Sequence, residues 1–430
     1  MGVVVHLVPP PTERGRAGFV RHPAVLEGAT AACGLALVVL VGIEGSPAWQ
    51  VVRMAGIGAV TSLLIAGELS VPPRWRGRLA LVAGVPAMAI AGGFAPHLAK
   101  GGPVPVRLAT IVLAIAGLVL TAGGADVATR GQHRFRRAAS AVVVVAALAV
   151  VSFVVGPAIA STNVPRPEIG ATPVQVGLAY EEVSLRTDDG VTLAAWYVPT
   201  DNGAAVVLRH GAGSTRSDVL DEAAVLAGGG FGVLLVDARG HGGSGGRAMD
   251  FGWHGDADIA AATDHLSSRP DVDPDRIGVV GLSMGGEEAV GASGANPAIR
   301  AVVAEGATAR AAGDEAWLSD EYGVRGLVQE QLERAQDLAT DPLTSASVPT
   351  TMRSAVAASD GTRYLLVTAG ERPDEAHAAA HVEAAAPDRV ETWEVDGAGH
   401  TAGLTTAPEE WARRVNGFLT DALLSDVAGP

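Results

Sequence analysis

Residues 279–288 read VVGLSMGGEE: an apolar run enters Gly281-Leu282-Ser283-Met284-Gly285, and two acids follow. Gly-x-Ser-x-Gly between a strand and a helix makes a tight turn. The serine backbone is strained there, and small residues flank it because side chains would clash. The Ser283 hydroxyl would stand above a sheet, with the Met284 N–H at a helix N-terminus where negative charge is stabilised. The context is right: RIGVVG (276–281) precedes the turn and the small-residue run GGEEAVGASGA (285–295) follows it. The alternative is a plain glycine-rich turn.

Working outward, short apolar runs alternate with helical ones. VTLAAWYVPT (191–200), AAVVLRH (204–210), FGVLLVDAR (231–239), RIGVVGLS (276–283), AIRAVVAEG (298–306), TRYLLVTAG (362–370) and VETWEVDG (390–397) read as strands. Segments near 215–228, 255–268, 285–294, 374–386 and 408–424 read as helices. Nearly continuous apolar strands between helices indicate an α/β fold whose mostly parallel sheet is covered on both faces. Ligands of such sheets bind at the carboxyl ends of the strands. Residues 308–360 are too long for an ordinary connection and contain GLVQEQLERAQDLA, which suits a small cap over the site or a surface insertion.

The other strand ends supply candidate partners for Ser283. His210-Gly211-Ala212-Gly213 is a flexible turn whose Ala212 N–H would be a second oxyanion donor beside that of Met284. His400 lies in a Gly-rich turn after a late strand, where an imidazole reaches a serine as general base. His210 competes for that role, but its place beside the oxyanion turn suits ordering that turn.

These motifs, HGAG (210–213), DARGHGGSGG (237–246), GLSMGG (281–286) and GAGH (397–400), resemble the α/β-hydrolase superfamily over about residues 175–425. The nearest groups are the serine aminopeptidase and dienelactone-hydrolase-like ones. The resemblance implies a nucleophile at Ser283, a base at His400, oxyanion donors at Ala212 and Met284, and Asp237 and Arg239 as braces of a loop beside the site. The acid departs from the family pattern: Pro373 occupies the usual offset after Gly370. We assign the acid to Asp374, one residue late, with Glu305 next and Glu375 and Glu371 as the remaining choices. Acids in a first helical turn suit the helix dipole, which accounts for Glu287 and Glu288. A carboxylate near the nucleophile would alternatively recognise a substrate amine.

Composition divides the chain in two. It has 430 residues, is 48% hydrophobic, and carries a net charge of −15. Residues 1–160 hold 12 Arg and Lys100, the only lysine, against 5 acids; residues 161–430 hold 18 Arg against 41 acids. An acidic second half argues against a nucleic-acid partner, because it repels the phosphate backbone. Residues 1–160 contain five apolar stretches, at 24–43, 48–67, 78–96, 106–125 and 138–160. Each is near the length of about 20 residues that crosses a bilayer. The expectation is an all-α transmembrane bundle, a linker at 161–175, and a hydrolase domain over 176–430. The second stretch is the weakest span, with Gln50 and Arg53 near one end. Arginines concentrate in alternate connections: Arg14, Arg16 and Arg21; Arg74, Arg76 and Arg78; Arg130, Arg134, Arg136 and Arg137. With five spans the positive-inside rule puts the hydrolase domain outside the cytoplasm, and with four spans inside.

No His/Cys/Asp cluster has metal-ligand spacing, so neither metal nor cofactor is expected. Cys33 is the only cysteine, which excludes an intrachain disulfide. The expected activity is serine hydrolysis of a small-molecule or lipid ester, thioester or amide beside a membrane. A serine peptidase and a non-catalytic membrane scaffold or sensor are the alternatives.

Overall fold

The structure, a computed structural model, describes residues 23–42, 47–163 and 165–425. The chain forms two compact units, Met1–Ala95 with Pro103–Gly156, and Pro96–Gly102 with Pro157–Pro430.

All five apolar stretches are helical. They are α1 (Pro23–Leu37, continued by a π-helical turn Val38–Gly42), α2 (Pro47–Ser70), α3 (Pro73–Gly93), and, after the short α4 (Ala95–Ala99), α5 (Val104–Ala128) and α6 (Arg134–Thr162). Four described helical segments are long and apolar enough to cross a membrane: Ala24–Gly42, Gln50–Ser70, Val104–Ala128 and Arg134–Thr162. The second stretch, expected to be the weakest, is therefore among them, whereas α3 is not. Its first two turns carry Arg74, Arg76 and Arg78, which offset the apolar residues that follow. What α3 offers instead is close packing on α5. A Cβ at Gly77 would lie 2.6 Å from the Gly124 carbonyl oxygen, and one at Gly84 would lie 2.7 Å from the Thr121 nitrogen. Small residues at such spacing let two helix backbones touch, which is how helices associate without a hydrophobic drive. Arg14, Arg16 and Arg21 lie outside the described residues.

The second unit is built on one eight-stranded sheet: β1 (Glu181–Arg186), β2 (Thr192–Val198), β3 (Ala205–Arg209), β4 (Gly232–Val236), β5 (Ile277–Leu282), β6 (Ile299–Glu305), β7 (Arg363–Ala369) and β8 (Val390–Val395). Their order is β1-β2-β4-β3-β5-β6-β7-β8. β2 runs antiparallel to both its neighbours and every other adjacent pair is parallel. Around it lie α7 (Leu220–Gly228), α8 (Gly255–Ser267), α9 (Met284–Ser293), α10 (Leu318–Tyr322), α11 (Val324–Thr340), α12 (Met352–Ala358), α13 (Pro373–Glu383), α14 (Gly403–Thr406) and α15 (Pro408–Leu423).

Successive strand residues point to opposite faces, so the apolar strands feed two cores. Val207, Leu234 and Val279 meet Ile259, Leu266 and Val290 of α8 and α9 on one face. Val206, Leu235 and Val280 meet Leu226, Trp411 and Leu419 of α7 and α15 on the other. β1 has no counterpart in the sequence reading because EEVSLR is an edge strand with only Leu185 buried. The segment between β6 and β7 is also more divided than expected of a cap over 308–360. Met352 and Val356 of α12 belong to the core under α9, which leaves α10 and α11 as the inserted helices.

Candidate active site

β5 delivers Ser283 to the carboxyl edge of the sheet and α9 begins on the next residue. Ser283 has φ 53° and ψ −124°, a strained conformation for a residue with a side chain. Two glycines make the turn possible. A Cβ at Gly281 would lie 2.2 Å from the Gly285 carbonyl oxygen, and one at Gly285 would lie 2.7 Å from the carbonyl oxygens of Arg209 and His210. The strain is held by hydrogen bonds: the Ser283 N–H donates to the Glu305 carbonyl at 2.7 Å, and the Ser283 carbonyl accepts from Gly286 at 2.8 Å and Glu287 at 3.1 Å.

His400 follows β8 and closes on the serine, with Nε2 2.9 Å from the Ser283 Oγ. Its Nδ1 lies 2.6 Å from Oε1 of Glu375. The carboxylate facing the imidazole is therefore Glu375 and not Asp374. Both stand in the first turn of α13, where adjacent residues point about 100° apart. Asp374 is exposed and accepts from the Tyr322 hydroxyl at 2.7 Å, while Glu375 is 3% exposed. The second Glu375 oxygen accepts from the Ala369 N–H at 2.9 Å, which fixes the carboxylate to the end of β7. Glutamate's extra methylene spans the gap left by its late position in the chain. The hydrogen bond to Glu375 raises the His400 pKa above the ordinary imidazole value, against the opposing effect of burial.

Glu305, the second choice for the acid, faces elsewhere. It accepts from the Gly403 N–H and the Trp411 indole, both at 2.8 Å, so it anchors the chain just beyond His400. Burial raises its pKa. Glu371 lines the same cavity as His400. Gly306, which sequence reading passed over, is needed for the imidazole: its φ is +69° and a Cβ there would stand 2.9 Å from the His400 Cε1. Its place directly after a strand-end acid was the available signal.

The 210–213 turn adjoins the serine, since a Cβ on Gly211 would meet the Ser283 Cβ at 3.2 Å. Two histidines hold it. His210 Nε2 accepts from the Ala238 N–H at 3.0 Å, which leaves Nδ1 to donate to the Gly211 carbonyl at 2.7 Å. His241 repeats the scheme, accepting from the Gly213 N–H at 3.1 Å and donating to the Arg239 carbonyl at 2.8 Å. Accepting an amide proton requires an unprotonated Nε2. Burial acts in the same sense, holding His210 well below the ordinary range and His241 at about 4. His210 thus orders the turn and does not reach for the serine. Met284, the first residue of α9, has one of the N–H groups that a helix leaves without an internal partner. Ala212 is exposed at the turn.

Asp237 accepts from the N–H groups of Arg216 and Gly243, both at 2.8 Å, and Arg239 Nε donates to Asp258 at 2.6 Å. Both residues brace the loop at 237–246. Behind the elbow, Glu288 pairs with Arg209, whose Nε donates at 2.9 Å, and the two are 2% and 1% exposed. Glu287 turns towards the chain beyond β6, where one oxygen accepts from the N–H groups of Thr308 and Ala309 at 3.1 Å. Burial pushes its pKa up to about 7 despite those donors.

A cavity of 360 Å³ opens on His400 and Glu375 and is lined from the insertion by Glu315, Trp317, Leu318 and Gln329. Burial, with Glu333 and Asp374 nearby, pushes Glu315 to about 8. Among the described residues no group of three His, Cys, Asp or Glu side chains is placed to hold a metal ion.

Residues 200–354 match the family described as serine aminopeptidase, S33. With the sheet order and the serine elbow, this decides the fold. The second unit has the α/β-hydrolase fold. The Mycobacterium tuberculosis protein Rv2307c is 39% identical over 130 residues, 29% of this chain and 46% of its own length. The thiohydrolase aneE of Aspergillus aculeatus is 34% identical over 128 residues, 29% of this chain and 40% of its own. The match thus spans under half the length of either relative. An esterase of Pyrococcus furiosus, Pf2001, aligns in structure at 24% identity with a TM-score of 0.48, covering 61% of this chain and 98% of that one. At the carboxyl edge of the sheet a serine hydroxyl, an imidazole and a carboxylate stand in hydrogen-bonded line at the edge of a cavity.

Proposed function

We propose that the α/β-hydrolase domain cleaves an ester, thioester or amide through an acyl-enzyme on Ser283, and that the helical unit tethers it to a membrane. The observation that carries this reading is the hydrogen-bonded line from Glu375 through His400 to Ser283. His400 Nε2 takes the Ser283 proton as Oγ attacks the substrate carbonyl. The N–H groups of Met284 and Ala212 receive the negative charge that develops on the carbonyl oxygen. His400 then returns its proton to the leaving group, and a water molecule, deprotonated in the same way, releases the acid. Glu375 keeps Nδ1 protonated and stabilises the imidazolium, which agrees with the raised His400 pKa.

A small-molecule or lipid substrate suits a cavity of this size, and the helices of α10 and α11 serve as its cap. The thiohydrolase among the relatives supports including thioesters. The four helices of membrane-spanning length support a multi-pass tether, and with α3 counted as a fifth span the alternating arginines put the acidic hydrolase domain outside the cytoplasm, whereas four spans alone would put it inside.

The test is fluorophosphonate labelling of the full-length protein, expected on the native chain and lost on Ser283→Ala. A folded native protein that takes no label overturns the acyl-enzyme reading. For the tether, protease added to intact cells is expected to reach residues 180–430, and their protection would place the domain inside.

A further inference from the structure

Residues 96–102 lie in sequence between two of the apolar helices, yet they belong to the same compact unit as the sheet. The segment is held there by His97, a buried residue whose Nε2 lies 2.8 Å from the Asn163 carbonyl oxygen. Asn163 is itself tied back to α6, its amide donating to the Ile159 carbonyl at 3.3 Å. Inside the segment, the Lys100 N–H donates to Pro96 at 2.8 Å and the Gly102 N–H to His97 at 2.9 Å, so the chain folds into a compact turn. That turn presents Lys100 to the oxyanion side of the active site. Its Nζ stands 2.7 Å from the point a Cβ on Gly213 would occupy, and Gly213 has φ +74°.

Charge is distributed unevenly about the site. On the Gly213 side the cations near His241 are Arg209, Arg166 and Lys100. Arg209 is neutralised by Glu288. Arg166 spends its guanidinium on the carbonyl oxygens of His241, Gly242, Ser244 and Gly246. Lys100 is exposed. The cavity beyond His400 is lined by the carboxylates Glu371 and Asp374 against one arginine, Arg372. A substrate carrying an anion is repelled from that wall and attracted to the other, so one charge selects both the substrate and its direction across Ser283.

We propose that Lys100 is a substrate-recognition residue of this site, binding a carboxylate or phosphate on the part of the substrate that lies along the 211–213 turn. The proposal rests on the hydrolase reading and adds a substrate class to it: acyl compounds bearing an anionic group. It also makes the connection between two apolar helices a functional part of the hydrolase, which a domain cut out at residue 165 would lack.

The test uses the full-length protein and two matched pairs of probes. p-Nitrophenyl butyrate against mono-p-nitrophenyl succinate places the anion on the acyl side. The same acyl group on N-acetylcysteamine against coenzyme A places it on the leaving group. In at least one pair, Lys100→Gln is expected to lower the ratio of kcat/KM for the anionic probe to that for the neutral one by about five- to tenfold. The change should appear in KM, fade at high salt, and be largely restored in Lys100→Arg, with neutral-probe turnover unchanged. Ratios that Lys100→Gln leaves unaltered in both pairs overturn the assignment while the hydrolase reading stands. Native protein that neither hydrolyses the neutral probes nor labels at Ser283 overturns both.

Discussion

Two pairs of adjacent acids open two helices of the second unit: Glu287 and Glu288 in α9, Asp374 and Glu375 in α13. In sequence the pairs look alike. In space each of the four carboxylates does something different. Glu288 closes a buried ion pair with Arg209, and Glu287 pins the chain after β6. Glu375 faces His400, whereas Asp374 meets a tyrosine at the surface. The helix dipole favours acids near either helix start and so explains none of these differences. They arise because neighbours on a helix point about 100° apart and meet different surroundings.

The largest effect expected within this comparison is at Glu375. Glu375→Ala should lower kcat by about 10³- to 10⁴-fold, because the imidazole loses the group that holds its tautomer. Glu375 also raises the His400 pKa. Its removal should therefore move the acidic limb of the residual pH–rate profile to lower pH, since His400 stays neutral further down. A limb that moves the other way, or turnover within a few fold of native, breaks the contrast between Glu375 and Asp374.

Glu288 comes next, and its effect should fall on stability. Glu288→Ala leaves the buried Arg209 charge without its nearest partner, a change that costs about 3–5 kcal/mol. Denaturant unfolding of the purified chain measures it, and a loss below about 1 kcal/mol would mean that Asp258, 3.9 Å from Arg209, suffices alone.

Glu287 should show itself only as a function of pH. Its carboxyl ionises near pH 7 in the folded protein and at 4.5 ordinarily. Between those values the native state binds more protons than the unfolded one, so stability falls as pH rises through that window. Glu287→Gln, which keeps an acceptor oxygen, should match native stability at pH 4 and exceed it above pH 7 by up to about 3 kcal/mol. Thermal melting at the two pH values reads the difference, and equal shifts at both would remove the ionisation account. The smallest effect belongs to Asp374, which touches neither Ser283 nor His400. Asp374→Asn should leave kcat within about twofold of native in the same ester assay, as for a surface change away from the reacting groups.

Much of this molecule is legible from its residues in order. The elbow at Ser283 and the turn at 210–213 announce themselves because glycine is demanded by backbone contact, as at Gly281 and Gly285, and that demand is local. Six of the eight strands show as apolar runs because both faces of the sheet are covered, and β8, at the other edge, shows by its alternation. β1 escapes notice because it lies at the edge and buries little. The apolar helices are equally plain, although hydropathy gives no hint that α3 is distinguished by glycine packing on α5 rather than by apolar length.

What sequence could not decide is which carboxylate meets the imidazole and which loop supplies the lysine. Gly370 to Glu375 offers three acids within five residues, and the choice among them depends on where α13 starts and how it is turned against β7. Lys100 is more than a hundred residues from the turn it faces, in a part of the chain that reads as membrane. Periodicity and spacing determine local geometry, because they act through neighbours along the chain. The assignment of roles to chemically identical side chains is made by contacts between residues distant in sequence, and those exist only once the chain has folded.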